Sequence, residues 1–222
     1  KRKAAGTIEK EADTMKNQRI LYGILCVLVL GLLATGCFMD KPLEQTSVQG
    51  SVYKLELELP FAVKTELKDM PLDTQTASYV QKAQSGMERP TGEDLHMVEF
   101  AVNTFSHEQI QQEYGADGSE KSNQFYTNFG KVLTESYIKS LTAAAKMTNV
   151  TTESKSTTID GRPGMVTTVQ CKMKGEDETL KVIYINDPVE SWLVAMAYPK
   201  EKQDGIGEKI EKTIIPGMKL VK

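Results

Sequence analysis

From Ile20 to Met39 the chain carries no charge, reading ILYGILCVLVLGLLATGCFM, and the run is preceded by Met15-Lys16-Asn17-Gln18-Arg19. A basic flank followed by an apolar stretch is the pattern of an export segment. At about 1.5 Å per residue such a run reaches roughly 30 Å, enough to cross a bilayer. The positive-inside rule keeps Lys16 and Arg19 on the cytoplasmic side, so everything after residue 40 is placed outside. The chain starts without Met, and Met15 is read as a candidate initiator, which makes residues 1–14 an upstream extension.

The run ends in Leu33-Ala34-Thr35-Gly36-Cys37, which resembles the lipobox of bacterial lipoproteins. The resemblance implies that the Cys37 thiol takes a diacylglyceryl group and that a peptidase cuts after Gly36, leaving Cys37 as the new N-terminus. Thr35 is an acceptable small residue there, while Ala34 departs from the Leu favoured three places before the Cys. Two acyl chains, at about 0.8 kcal/mol per buried methylene, hold a protein durably where one does not. The expected localisation is therefore extracytoplasmic, anchored to a bacterial cell membrane by lipid on Cys37. An uncleaved transmembrane anchor and ordinary cleaved secretion are the alternatives left open by the same run, and both also place the remainder outside.

Three cysteines agree with this reading: Cys26 lies in the export run, Cys37 takes lipid, and Cys171 has no partner left. No disulfide framework is expected, so an exported domain must be stabilised by its core. The organisation expected is residues 1–36 as extension and signal segment, 37–50 as a polar, aperiodic tether, and 51–222 as one domain. A net charge of -3 supplies no basic field for nucleic acid. Loss of residues 1–36 makes the chain more acidic still.

In the exported part, Tyr53, Leu55, Leu57 and Leu59 alternate with charged residues, as in a strand with one buried face. Ser78 to Met87 and Asp94 to Phe105 read as a strand pair around the turn at 88–92. Ser106 with Gln109 resembles a capping box opening a short helix to Glu113. Residues 114–124 read as loop. Phe129, Leu133, Tyr137, Leu141 and Ala145, joined by Val132, predict a helix over 126–147 lying against a sheet. Strands are expected at 151–159, around Met165 to Met173 with Thr167 interrupting the apolar face, at 180–185 and at 192–198, the first two joined by the hairpin dipeptide Asp160-Gly161. Lys200 to Lys212 predicts a helix with Ile206 and Ile210 inward, weakened by Gly205 and Gly207, and Ile214 to Val221 an edge strand. The fold class is thus α+β, an antiparallel sheet packed with one long and one shorter helix. Leu59-Pro60-Phe61, Asn149-Val150, Ile159-Asp160-Gly161-Arg162-Pro163-Gly164, Trp192-Leu193-Val194 and Ile214 through Leu220 resemble the PsbP-like and DcrB-like group, which implies this architecture and no shared active site.

The motifs that carry chemistry are incomplete. His107-Glu108 begins a zinc-protease pattern, but Gln111 replaces the second His. Ser136-x-x-Lys139 and Ser51-x-x-Lys54 match S-x-x-K without its companion elements. Asp117, Glu120 and Glu176-Asp177-Glu178 lack the alternating ligand spacing of a calcium loop. His96 reads as edge or surface, and Cys171 as a small core hydrophobe. No catalytic residue, cofactor or metal site is expected. The leading reading is a lipid-tethered accessory or binding protein for an envelope partner, with loops 88–92 and 114–124 free to specialise. The alternatives are a small-ligand or metal carrier, or a hydrolase using Glu93, Asp94 and Glu113.

Overall fold

The structure, a computed structural model, describes residues 42–222. The expectations for residues 1–36, including cleavage after Gly36, and for Cys37 lie outside the described residues. Ten strands occur among the described residues: β1 (Glu44–Gln49), β2 (Lys54–Leu59), β3 (Lys68–Asp69), β4 (Val80–Glu88), β5 (Met97–Phe105), β6 (Thr148–Ile159), β7 (Arg162–Met173), β8 (Glu176–Ile185), β9 (Glu190–Pro199) and β10 (Lys219–Val221). The helices are a single turn α1 (Thr76–Tyr79), α2 (His107–Tyr114), the long α3 (Glu120–Ala144) and a C-terminal helical segment α4 over 200–217.

Seven strands form one antiparallel sheet in the order β3-β4-β5-β9-β8-β7-β6, and β1-β2-β10 form a second. The α+β expectation, a mainly antiparallel sheet packed with a long and a shorter helix, therefore holds. Alternation along the central strands builds two cores. Val98, Phe100 and Val102 of β5 with Trp192, Val194, Met196 and Tyr198 of β9 face the small sheet and α4, meeting Leu55, Leu57, Leu59, Ile206, Ile210 and Ile214. Met97, Ala101, Leu193, Ala195 and Ala197 face the other way, onto Ile138 and Leu141 of α3 and Ala145 just past its end. Side chains of period 2 on a central strand reach both layers, which is why these strands are mostly apolar on both faces.

Several expectations change in detail. Residues 44–49, assigned to the tether, form β1: Thr46 and Val48 alternate inward, a pattern of two short side chains that a polar segment hides. Helix α3 begins at Glu120, capped by the Ser119 hydroxyl accepting from the Ser122 amide at 3.1 Å, so half of the expected loop 114–124 is helical. Its buried face is also rotated. Tyr126, Gly130, Thr134, Ile138 and Leu141 point inward, while Val132 is 62% exposed. The cause is close approach: a Cβ on Gly130 would lie 2.1 Å from the Tyr184 ring, so the small residues of α3 must face the sheet there. Thr167 does not interrupt the β7 face but is buried in it, its hydroxyl 2.9 Å from that of Ser154. The Ser106 side chain makes no capping bond, although the short helix forms. Pro216 lies in the last turn of α4 rather than in an edge strand, and the closing strand shrinks to Lys219–Val221 beside β2. Two π turns in α4, Gln203–Gly207 and Ile210–Ile214, accompany the expected Gly205 and Gly207.

The small sheet is fastened at one turn. Glu190, fully buried at the start of β9, accepts the amides of Ser51 and Val52 at 2.7 Å each and of Tyr53 at 3.1 Å. The same carboxylate accepts the Trp192 indole N–H at 3.1 Å. Gly50 is required beside it, because a Cβ there would fall 2.4 Å from Glu190 Oε1 and 2.6 Å from the Trp192 ring. Glu190→Ala leaves the buried Tyr53 amide and Trp192 indole without an acceptor, each costing about 1–3 kcal/mol if no water replaces it, and frees the Ser51 and Val52 amides as well. We expect a loss of stability on the order of 3 kcal/mol in urea melts, with amide exchange at 51–53 accelerated first; unchanged exchange at those amides would show that Glu190 does not hold the turn.

Candidate functional site

The sequence-derived candidates are scattered by the fold. Asp94 precedes β5 and pairs with Lys202 at 3.2 Å, whereas Glu113 ends α2, beyond the other end of β5, where its carboxylate accepts from the Tyr79 hydroxyl at 2.7 Å and Gln109 at 3.0 Å. A nine-residue strand separates them by roughly 26 Å, so these carboxylates share no pocket. His107 Nδ1 lies 3.2 Å from Asp117 at the start of α2. Ser136 and Lys139 are both exposed on α3. Ser51 donates to Gln84 at 2.9 Å while Lys54 pairs with Glu56 at 2.5 Å, so neither S-x-x-K match forms a site. Among the described residues no group of three or more His, Cys, Asp or Glu side chains is placed to hold a metal ion.

Cys171 sits in the α3-side core, and burial, with Glu178 and Asp177 beside it, pushes its thiol up to about 11. It is therefore protonated and weakly nucleophilic at neutral pH. Across the ladder from Cys171, buried Glu178 stands 3.2 Å from His96 Nδ1, and its second oxygen has no hydrogen-bond partner among the described residues. His96 thus reaches over the end of the sheet instead of lying on a plain edge.

Besides Glu190, two further buried ionisable residues, Glu99 and Lys181, were not singled out from the sequence. Glu99 is 7% exposed on the α3 face of β5, with its carboxylate accepting from the Tyr137 hydroxyl at 2.7 Å. Burial pushes its carboxyl above the usual range, opposed by the Tyr137 hydrogen bond and the Arg89 charge. The available signal was a lone acid inside Met97-Val98-Glu99-Phe100-Ala101-Val102, an otherwise uncharged central strand. Lys181, 5% exposed, donates to Thr168 Oγ1 at 2.8 Å and to Glu211 at 2.5 Å, pinning α4 to β8. That bond holds the Glu211 carboxyl below the usual range.

The surface at the far end of β5 is aromatic. Phe125 lies 4.7 Å from Tyr114 and 5.2 Å from Tyr79, ring centroid to centroid, and Phe105 packs edge-on to Phe129 at 5.1 Å. Tyr79, Tyr114, Phe125 and Phe129 are half-buried, so this cluster is a small core with one open side.

Among the described residues no helix is long and apolar enough to cross a membrane. No protein-family model matches the chain, and no curated protein matches it. Similar solved structures include LpqN, involved in cell envelope biogenesis of Mycobacterium tuberculosis, at 7% identity and a TM-score of 0.40 over 81% of this chain and 92% of that one. The solution structure of cyanobacterial PsbP from Synechocystis is similar at 8% identity and a TM-score of 0.40, covering 86% of this chain and 98% of that one. A Pseudomonas aeruginosa protein of unknown function is similar at 11% identity and a TM-score of 0.34, covering 78% and 96%. At this level no residue's role passes from those proteins to this chain, and the α+β assignment rests on the strand order itself.

The raised Glu99 carboxyl makes stability depend on pH. Between the unfolded carboxyl value, about 4.3, and its higher folded value the native chain binds more protons than the unfolded one. Stability therefore falls as pH rises through that window and stays reduced above it. Glu99→Gln removes the charge and keeps an acceptor for Tyr137, so its urea midpoint should exceed that of the native chain at pH 8 and match it near pH 4. A variant equally or less stable at pH 8 would contradict the burial penalty.

Proposed function

We propose that this chain is a lipid-anchored extracytoplasmic accessory or binding protein, held in a bacterial cell membrane by diacylated Cys37 and acting on an envelope partner without chemistry of its own. One observation carries the reading: the uncharged run ends in Gly36-Cys37, and the first strand of an antiparallel domain begins seven residues later, at Glu44. That spacing leaves a cleaved, lipidated chain with a short link and a folded load.

The domain suits that role. With no disulfide among the described residues and Cys171 buried as a free thiol, it is stabilised by two apolar cores, which needs no oxidising machinery. Anchoring supplies the mechanism, because a domain confined to a surface meets other surface-bound molecules at a raised effective concentration. The half-buried rings around Phe125 offer aromatic surface of the kind enriched at protein interfaces.

The test is mass spectrometry of the mature N-terminus after expression in a bacterial host, with membrane fractionation, for the native chain and Cys37→Ser. The native protein should begin at Cys37, carry the diacylglyceryl mass and sediment with membranes, and the variant should lose both. Native protein free in the cytosol with an unmodified Cys37, or identical mass and partitioning in the variant, would defeat the reading.

A further inference from the structure

The two ends of the domain differ in how far they lie from the start of β1. β1 starts at Glu44, which pairs with Leu59 at the end of β2, and Leu43 packs on the core there. The chain then turns through 60–67, where the Val63 amide donates to Thr46 Oγ1 at 3.3 Å. In the same loop the Thr65 hydroxyl donates to Glu88 at 3.0 Å and the Lys64 amide approaches it at 3.4 Å. Glu88 is the last residue of β4. The start of β1, the 60–67 loop and the end of β4 therefore share one end of the molecule. Val80, at the other end of β4, belongs to the aromatic cluster with Phe105 and Tyr126. Eight strand steps place that cluster roughly 26 Å from Glu88.

The link is shorter than this. Seven residue steps from Cys37 to Glu44 span at most about 25 Å fully extended. To bring the aromatic end down to the lipid, the link would have to run fully stretched along the whole domain, at a large loss of chain entropy. With the Glu44 end toward the bilayer the link need not be stretched at all.

Resting on the lipid-anchor reading, we infer that the domain faces the bilayer with the end carrying Glu44, the 60–67 loop and Glu88, and holds the aromatic cluster around Phe125 away from it. The occupant of the near end is the lipid surface itself, set there by the length of chain between Cys37 and β1. Orientation thus follows from a covalent bound, without a specific lipid-binding pocket.

The experiment uses the full chain, lipidated in a bacterial host and reconstituted into phosphatidylethanolamine–phosphatidylglycerol vesicles with an energy-transfer acceptor on the headgroups. Donors go on Ala62→Cys and Gln124→Cys, both exposed positions at opposite ends. Cys171 is buried and Cys37 is blocked by its lipid, so each variant takes label at one place. Transfer from residue 62 should exceed that from residue 124 by about threefold or more, given the steep distance dependence over a separation of roughly 26 Å. Inserting about twenty Gly/Ser residues between Asp40 and Lys41 should collapse the difference. Equal or reversed transfer in vesicle-bound protein with the native link would overturn the orientation alone, and a difference that survives the insertion would overturn the link as its cause. Vesicles that retain no protein would instead sink the anchor reading and this inference with it.

Discussion

One buried carboxylate fastens the turn of the small sheet to the large one. Glu190 gathers three successive amides at the β1–β2 turn and the indole of Trp192. Successive N–H groups turned inward form a concave anion site, and the low polarity around them makes that site costly to leave empty. The small sheet then lays Leu55, Leu57 and Leu59 on β5 and β9. Gly50 and Trp192 complete the fit, one by having no side chain and the other by filling the space beneath.

The opposite face is solved by shape. Helix α3 approaches closely at Gly130, under the Tyr184 ring, and its apolar residues Ile138 and Leu141, with Ala145 just past its end, close the core further along. Polar pins mark the places where elements from distant parts of the sequence meet: Tyr137 on Glu99, Lys181 on Glu211, and Arg162 bridging Asp160 and Asp187 at 2.6 and 2.8 Å. Asp160 also accepts the Leu220 amide at 3.0 Å, so the β6–β7 turn holds the last strand in place. Such pins contribute less than the apolar cores, yet they fix register, because a buried polar group tolerates few arrangements.

The proposed anchoring at Cys37 would act on both halves at once. A domain that closes its own core is a passive load on an anchor, and its usefulness depends on where the anchor holds it. The seven-residue interval between Cys37 and β1 converts a sequence distance into a spatial one. Under the proposed anchoring, the end carrying the 60–67 loop lies toward the bilayer and the half-buried aromatic rings lie away from it.

The sequence by itself determined the uncharged run over 20–39, the succession of most strands and the long helix, because charge depletion and residue periodicity are local properties. It also revealed the apolar central strands, whose alternate residues must satisfy two layers. Only the tertiary structure decided the rest. β1 was invisible because Thr46 and Val48 become core residues only when β2 lies beside them, and the rotation of α3 was invisible because Gly130 matters only once Tyr184 arrives from residue 184. Glu190 and Glu99 look alike as lone acids before or within apolar strands; one satisfies a distant turn and the other bears a burial penalty, a difference set by which donors the fold brings within hydrogen-bond reach.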